Sequence, residues 1–247
     1  MKPFIFKQFT INQDRCAMKV GTDAVLLGAW TPVDHHPISI LDIGSGTGII
    51  ALMLAQRSDA VPIAIGIIDA IEIDEDAYEQ CVENFEQSQW NDRLFCYHAS
   101  LLEFTEEIED KYELIVSNPP FYSPSPAPQK EESVRSISRK TARFQDALPF
   151  EHLVESVSKL LSKRGVFSVI LPFQEEENFL ALALKINLFP FRILHVKGNP
   201  SSEIKRSLVA FSFEKSDVSI EELIIETSRH QYTEAYINLT KDFYLKM

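Results

Sequence analysis

Apolar residues along this 247-residue chain fall into two alternating patterns, short continuous runs and longer stretches with helical spacing. Ile38-Ser-Ile-Leu-Asp-Ile43 is a short, mostly apolar run and predicts a buried strand. A glycine cluster at 44–48 follows, and then a helix over 49–57 with Ile49, Leu52, Met53 and Leu54 as its apolar residues. Ile63 to Ile73 is apolar and β-branched, which predicts a second strand, and it closes on Glu72-Ile73-Asp74. Asp74 has the chemistry of a helix cap, and the helix it starts runs to about Phe85 with Cys81, Val82 and Phe85 on one face. Further strands are predicted at Leu94–His98, Tyr112–Ser117, Gly165–Leu171, Arg192–Lys197 and Leu208–Phe213. Further helices are predicted at 22–30 with Thr22 or Asp23 as cap, at Phe150–Leu161, and at Gln174–Ile186. Strands alternating with helices predict an α/β fold: a mostly parallel seven-stranded sheet, its last strand reversed, with helices on both faces.

Residues 119–128 hold five of the thirteen prolines, so no regular element passes through them. The stretch 122–146 is too long for an ordinary connection in a compact domain, which marks it as functional or disordered. With no internal repeat, the chain reads as one domain. Residues 1–37 form an N-terminal lid or helix segment, and 38–247 form the core that carries the inserted loop.

Composition narrows the class. Hydrophobic residues make up 45% and charged residues 24%, an ordinary globular balance that excludes a disordered or collagen-like chain. No run of about 18 apolar residues is present to span a membrane, and the first residues lack the apolar core of a secretory signal. Cys16, Cys81 and Cys96 have neither disulfide-framework nor metal-ligand spacing, so they read as reduced thiols of a cytosolic protein that needs no metal. The net charge of −12 argues against a general nucleic-acid coat protein. Its distribution is uneven, however. Residues 1–20 carry +3, and residues 129–143 also carry +3, from Lys130, Arg135, Arg139, Lys140 and Arg143 against Glu131 and Glu132. Taken alone, such runs are solvated loop charge; beside a binding site they are candidate phosphate contacts.

Asp42-Ile-Gly44-Ser45-Gly46-Thr-Gly48 stands where the first strand turns into its helix, and glycines there let the backbone turn sharply and approach a ligand. The dinucleotide fingerprint needs a glycine at 49, where Ile stands, and no Lys-Ser/Thr follows for a phosphate loop. The pattern of Asp, GxGxG and an acidic residue ending the second strand resembles the Rossmann-like methyltransferases that use S-adenosylmethionine (SAM). In that reading the loop packs against the amino-acid moiety of SAM, and Glu72 accepts both ribose hydroxyls. The bland alternative is a strained strand-to-helix turn without a ligand. Such enzymes often carry Asp near the end of the third strand for the adenine amino group; here Ser100 is the candidate, and His98 reads as a strand-end histidine.

Asn118-Pro119-Pro120-Phe121 follows the fourth strand, at the sheet edge where ligands of open α/β folds collect. The lone pair of an exocyclic amine is delocalised into its ring, and two acceptors holding both N–H groups favour the pyramidal, nucleophilic form. The Asn118 side-chain oxygen and the Pro119 carbonyl are suited to that task. Consecutive prolines stiffen the loop, and Phe121 offers a stacking face for a base. Alone, the tetrapeptide also reads as a simple turn after a strand.

Several segments together resemble one family, the bacterial valine-tRNA adenine-N6 methyltransferases, which act on the adenosine next to the anticodon. The similarity lies in Phe6-Lys-Gln-Phe9, Asp14 to Asp23, Leu26 to Trp30, Asp42 to Gly48, Glu72 to Asp74, Asn118 to Phe121, and Leu239 to Lys246. It implies SAM-dependent N6-methylation of adenine in tRNA in the cytoplasm. It further implies that Lys19, Gly21, Thr22 and Asp23 line the cofactor side as a lid, although Thr22 and Asp23 also read as helix caps. Arg139 and Arg143 resemble basic RNA contacts of the family. The tail Asp242-Phe-Tyr-Leu245 is expected to close the sheet. Three rivals share the chemistry or the loop: a ribosomal-RNA guanine-N2 methyltransferase, a protein glutamine-N5 methyltransferase, and a non-catalytic SAM-binding factor.

Overall fold

The computed structural model describes residues 2–59, 66–120 and 148–247. Two short strands open the chain, β1 (Phe4–Ile5) and β2 (Thr10–Ile11), paired as an antiparallel hairpin. There follow α1 (Thr22–Trp30), β3 (Ser39–Ile43), α2 (Ile49–Asp59), β4 (Ile67–Glu72), α3 (Glu75–Glu86) and β5 (Leu94–His98). The next elements are α4 (Leu101–Glu107), β6 (Tyr112–Ser117), α5 (Phe150–Leu160) and β7 (Leu161–Pro172). After a 3-10 turn at Phe173–Glu175 come α6 (Glu176–Lys185), β8 (Phe189–Lys197), β9 (Ile204–Ser212) and β10 (Ser219–Ile224). A small ribbon of β11 (Glu226–Ser228) and β12 (Gln231–Tyr232) leads to α7 (Glu234–Thr240).

The main sheet runs β10-β8-β9-β7-β6-β3-β4-β5, and only β9 is antiparallel to its neighbours. Its central strands bury side chains on both faces. Ile40, Leu114 and Ile170 join one core cluster, while Leu41, Ile115 and Val169 join the other. Double-sided burial is why these strands read as continuous apolar runs rather than alternating ones.

All seven expected strands form, with β9 as the expected reversed strand, but among the described residues the sheet has eight. The additional strand, β10, lies at the sheet edge, where only Leu223 is buried and Ile220 is 62% exposed, so its sequence shows no apolar run. The cap of α1 also differs. Gly21 occupies the N-cap with no side-chain bond, and Thr22 and Asp23 are already helical. Asp74 does cap α3, accepting from Ala77 N at 2.8 Å. On that helix the buried face pairs Cys81 and Phe85 with the polar Gln80 and Asn84, while Val82 is half-buried. The chain tail does not extend the main sheet. Phe243 is buried, its carbonyl accepts from Lys7 N at 2.8 Å, and Tyr244 stacks with Phe6 against the N-terminal hairpin. The expected strand residues 63–65 and the inserted loop 122–146 lie outside the described residues.

Helices α1 and α2 are buried on all sides, Ala24–Trp30 and Ile49–Ala55 without a break. A Cβ on Gly28 would stand 2.8 Å from Met53 Sδ, so glycine there lets the two helices cross closely. This packing holds the segment before α1 against the C-terminal edge of the sheet, where β3, β4 and β6 end.

Candidate active site

The loop after β3 is built from three left-handed glycines, Gly44 (φ 71°), Gly46 (φ 55°) and Gly48 (φ 76°). Gly44 N and Ser45 N both donate to Ile71 O, at 3.0 and 3.1 Å, which ties the loop to the end of β4. Glu72 completes the tie. Its Oε2 accepts from Gly46 N at 2.8 Å, and its Oε1 accepts from Ile73 N and Asp74 N at 2.9 and 3.0 Å. Asp42 lies wholly buried beneath the loop, and its Oδ2 accepts from Ala51 N in the first turn of α2 at 3.2 Å. Burial pushes its carboxyl up to about 7, against the opposing pull of that N–H, and the charge of Glu72 adds to the rise. The other oxygen, Oδ1, is buried without a partner among the described residues. Ser45 is buried, with its hydroxyl 3.5 Å from Cys81 Sγ and 3.9 Å from Cys96 Sγ.

The glycines divide in role. A Cβ on Gly48 would meet Phe85 Cε1 at 2.5 Å and Cys81 Sγ at 2.8 Å, so this residue seats the loop on α3. Around Gly44 and Gly46 no atom of the described residues lies within 4 Å of such an atom. An open cradle of peptide groups beside a carboxylate is what the amino-acid and ribose portions of SAM require, one needing close backbone approach and the other an acceptor for two hydroxyls. The open backbone at Gly44 and Gly46 and the carboxylate of Glu72 have the chemistry that SAM requires.

Neighbouring strands bring in the second motif. Ile43 pairs with Ser117 between β3 and β6, so the glycine loop and Asn118 leave the sheet side by side. Asn118 is half-buried, Pro119 buried and Pro120 exposed. Asn118 opens into a cavity of about 710 Å³ that it shares with Lys19, Gly21, Thr22 and Asp23 on one wall and Phe173 and Arg206 on another. The four residues placed by resemblance are thus gathered, on the Asn118 side of the edge. Lys19 shapes the segment before α1, its ammonium donating to Gln13 O at 2.5 Å and Cys16 O at 2.6 Å. Asp23 Oδ2 accepts from Arg206 Nε at 2.7 Å and so bridges α1 to β9. Asn84 secures the same segment, since its Nδ2 donates to both Asn12 O and Thr47 O at 2.9 Å.

Ser100, the candidate for the adenine amino group, is half-buried. It is the N-cap of α4 in a reciprocal capping box, its hydroxyl donating to Glu103 Oε2 at 2.7 Å and accepting from Glu103 N at 3.2 Å. His98 ends β5, stacked on Tyr78, with Nε2 3.1 Å from Ile73 O. Phe121, Lys130, Arg135, Arg139, Lys140 and Arg143 lie outside the described residues. Phe173 and Arg206 had no local signal in the sequence, because each joins the cavity only through the pairing of β7 with β9.

Residues 20–142 match the Methyltransferase small domain family. The tRNA1(Val) (adenine(37)-N6)-methyltransferase of Flavobacterium johnsoniae is 61% identical over 245 residues, covering 99% of this chain and 100% of that protein. The chain belongs to this methyltransferase family. A relative of the same name from Bacteroides fragilis is 45% identical over 99% of the chain and 98% of its own length. A predicted O-methyltransferase structure from Agrobacterium tumefaciens superposes with a TM-score of 0.69 at 18% identity, covering 90% of this chain and 96% of that one, which supports the Rossmann-like methyltransferase fold. The protein is a SAM-dependent methyltransferase.

Proposed function

We propose that the protein methylates N6 of adenosine 37 in valine tRNA, with SAM as methyl donor. The observation that carries this reading is the Ile43–Ser117 pairing, by which the glycine loop and Asn118-Pro119 leave the sheet next to each other at one edge. Relatives at 45–61% identity over nearly the full chain bear the tRNA1(Val) adenine-37 name and supply the substrate.

Bound at the cradle, SAM supplies an electrophilic methyl group on a sulfonium. The chain's own task is to prepare the nucleophile. Asn118 Oδ1 and the Pro119 carbonyl accept the two N–H bonds of the adenine amine and keep its lone pair free of the ring. As the N–C bond forms and the sulfonium–methyl bond breaks, positive charge passes to nitrogen, where the two acceptors stabilise it until the extra proton leaves to solvent. The partly buried setting of Asn118 limits competing water, and positioning replaces a strong base. Lys130, Arg135, Arg139, Lys140 and Arg143 act as phosphate contacts, with Phe121 against the base. Ser100 contributes through the helix it caps, next to the adenine end of SAM. A tRNA substrate makes the cytoplasm the place of action.

Transfer of labelled methyl from SAM to unmodified total tRNA, followed by nucleoside analysis, tests the reading. N6-methyladenosine at position 37 of valine tRNA is expected. Label found instead in guanine of ribosomal RNA or in protein glutamine would overturn it.

A further inference from the structure

Phe173 stands half-buried in the wall of the cavity that Asn118 opens into, one residue past the end of β7. The β7–β9 register pairs Pro172 with Arg206, so this ring belongs to the same rim as the Asp23–Arg206 bridge. The ring is held from behind. It lies perpendicular to the His195 imidazole, with centroids 5.0 Å apart and planes at 83°. His195 Nε2 is 2.8 Å from Glu176 Oε2, and the buried Ser207 hydroxyl donates to the same oxygen. His195 and Ser207 face each other across β8 and β9, while Glu176 begins α6. Three elements thus converge on one carboxylate behind a partly exposed aromatic ring in the cavity that Asn118 also lines.

We propose that Phe173 is a stacking wall for the target nucleobase, holding the purine plane so that its exocyclic amine meets Asn118. This rests on the nucleobase-amine reading above and adds an aromatic contact to the base. A base extruded from an RNA stack loses its neighbours' stacking, and an aromatic wall restores part of it without regard to sequence. The same wall excludes water from one face of the ring. His195, Glu176 and Ser207 are positioning residues that act through Phe173.

Two substitutions separate stacking from packing. Phe173→Leu keeps an apolar side chain of similar reach but removes the flat face, whereas Phe173→Tyr keeps that face. With unmodified valine tRNA, F173L is expected to lose about ten- to hundredfold in kcat/KM, the scale of one lost base stack. F173Y should stay within about threefold, and SAM affinity should be unchanged in both. A second readout does not need methyl transfer: 2-aminopurine at the position-37 site of an anticodon stem-loop should be quenched by the wild type and brighter with F173L. Wild-type kcat/KM in F173L overturns the assignment, as does a loss that F173Y shares or that tracks weakened SAM binding. A wild type that quenches the probe through Phe173 but methylates no tRNA would overturn the substrate reading and leave the stacking wall standing.

Discussion

An amide neither gains nor loses a proton near neutral pH, so in the proposed mechanism Asn118 serves as an acceptor aimed at a nitrogen that becomes positive during the reaction. Removing it takes away a contact that strengthens only in the transition state. Asn118→Ala is therefore expected to cut methyl transfer by about a hundredfold or more, with SAM affinity nearly unchanged because the cradle lies on a different loop. Steady-state kinetics with a parallel SAM titration checks both halves, and near-normal turnover would sink the acceptor mechanism. The glycines show how far a residue pattern carries. Their spacing identifies the loop, but Gly48 is needed for its packing on Phe85 and Cys81, while Gly44 and Gly46 leave an open face. Spacing is blind to that division, since all three have similar positive φ and differ only in what lies opposite them. Asp42 is a parallel case. Its place before the loop was legible, but its burial and its hold on α2 follow from the two layers packed over it.

At the scale of elements, caps decide where helices start. Asp74 was readable because it follows an apolar strand and precedes a strong helical pattern. Ser100-Leu-Leu-Glu103 has capping-box spacing as well, and in the fold it forms that box. The hydroxyl and N–H of Ser100 hold the Glu103 carboxyl below the ordinary range, as reciprocal capping requires. Ser100→Ala should cost about 0.5–2 kcal/mol of stability, the usual cost of a lost cap, and leave the SAM dissociation constant within about twofold. Thermal melting with a SAM titration distinguishes the roles: a large loss of SAM affinity at unchanged melting temperature would return the hydroxyl to the cofactor. The polar face of α3 was not legible, because Gln80 and Asn84 interrupt the apolar spacing. They are buried because the backbone of the N-terminal segment needs partners, with Asn84 Oδ1 accepting from Asn12 N and Gln80 Oε1 from Arg15 N.

For the whole molecule, the question is how an enzyme of net charge −12 binds a polyanion. Residues 129–143 carry a local excess of +3, and at physiological salt charges farther than about 8 Å from a phosphate are largely screened. If Arg139 and Arg143 each meet a phosphate, replacing both by Ala should flatten the slope of log K for tRNA against log salt by about 1.4–1.8. Filter binding across a salt series measures this, and an unchanged slope would remove the pair from the interface. The sequence by itself determined the strand–helix alternation, the cradle and the Asn-Pro-Pro motif, because period, glycine conformation and proline stiffness act within a few residues. Only the tertiary structure decided the eighth strand, the buried roles of Asp42 and Asn84, and the cavity that Asn118 shares with Asp23, Phe173 and Arg206. Asp23 and Arg206 are 183 residues apart and meet because strand pairing, which no local pattern encodes, brings β9 beside β7 and within reach of α1.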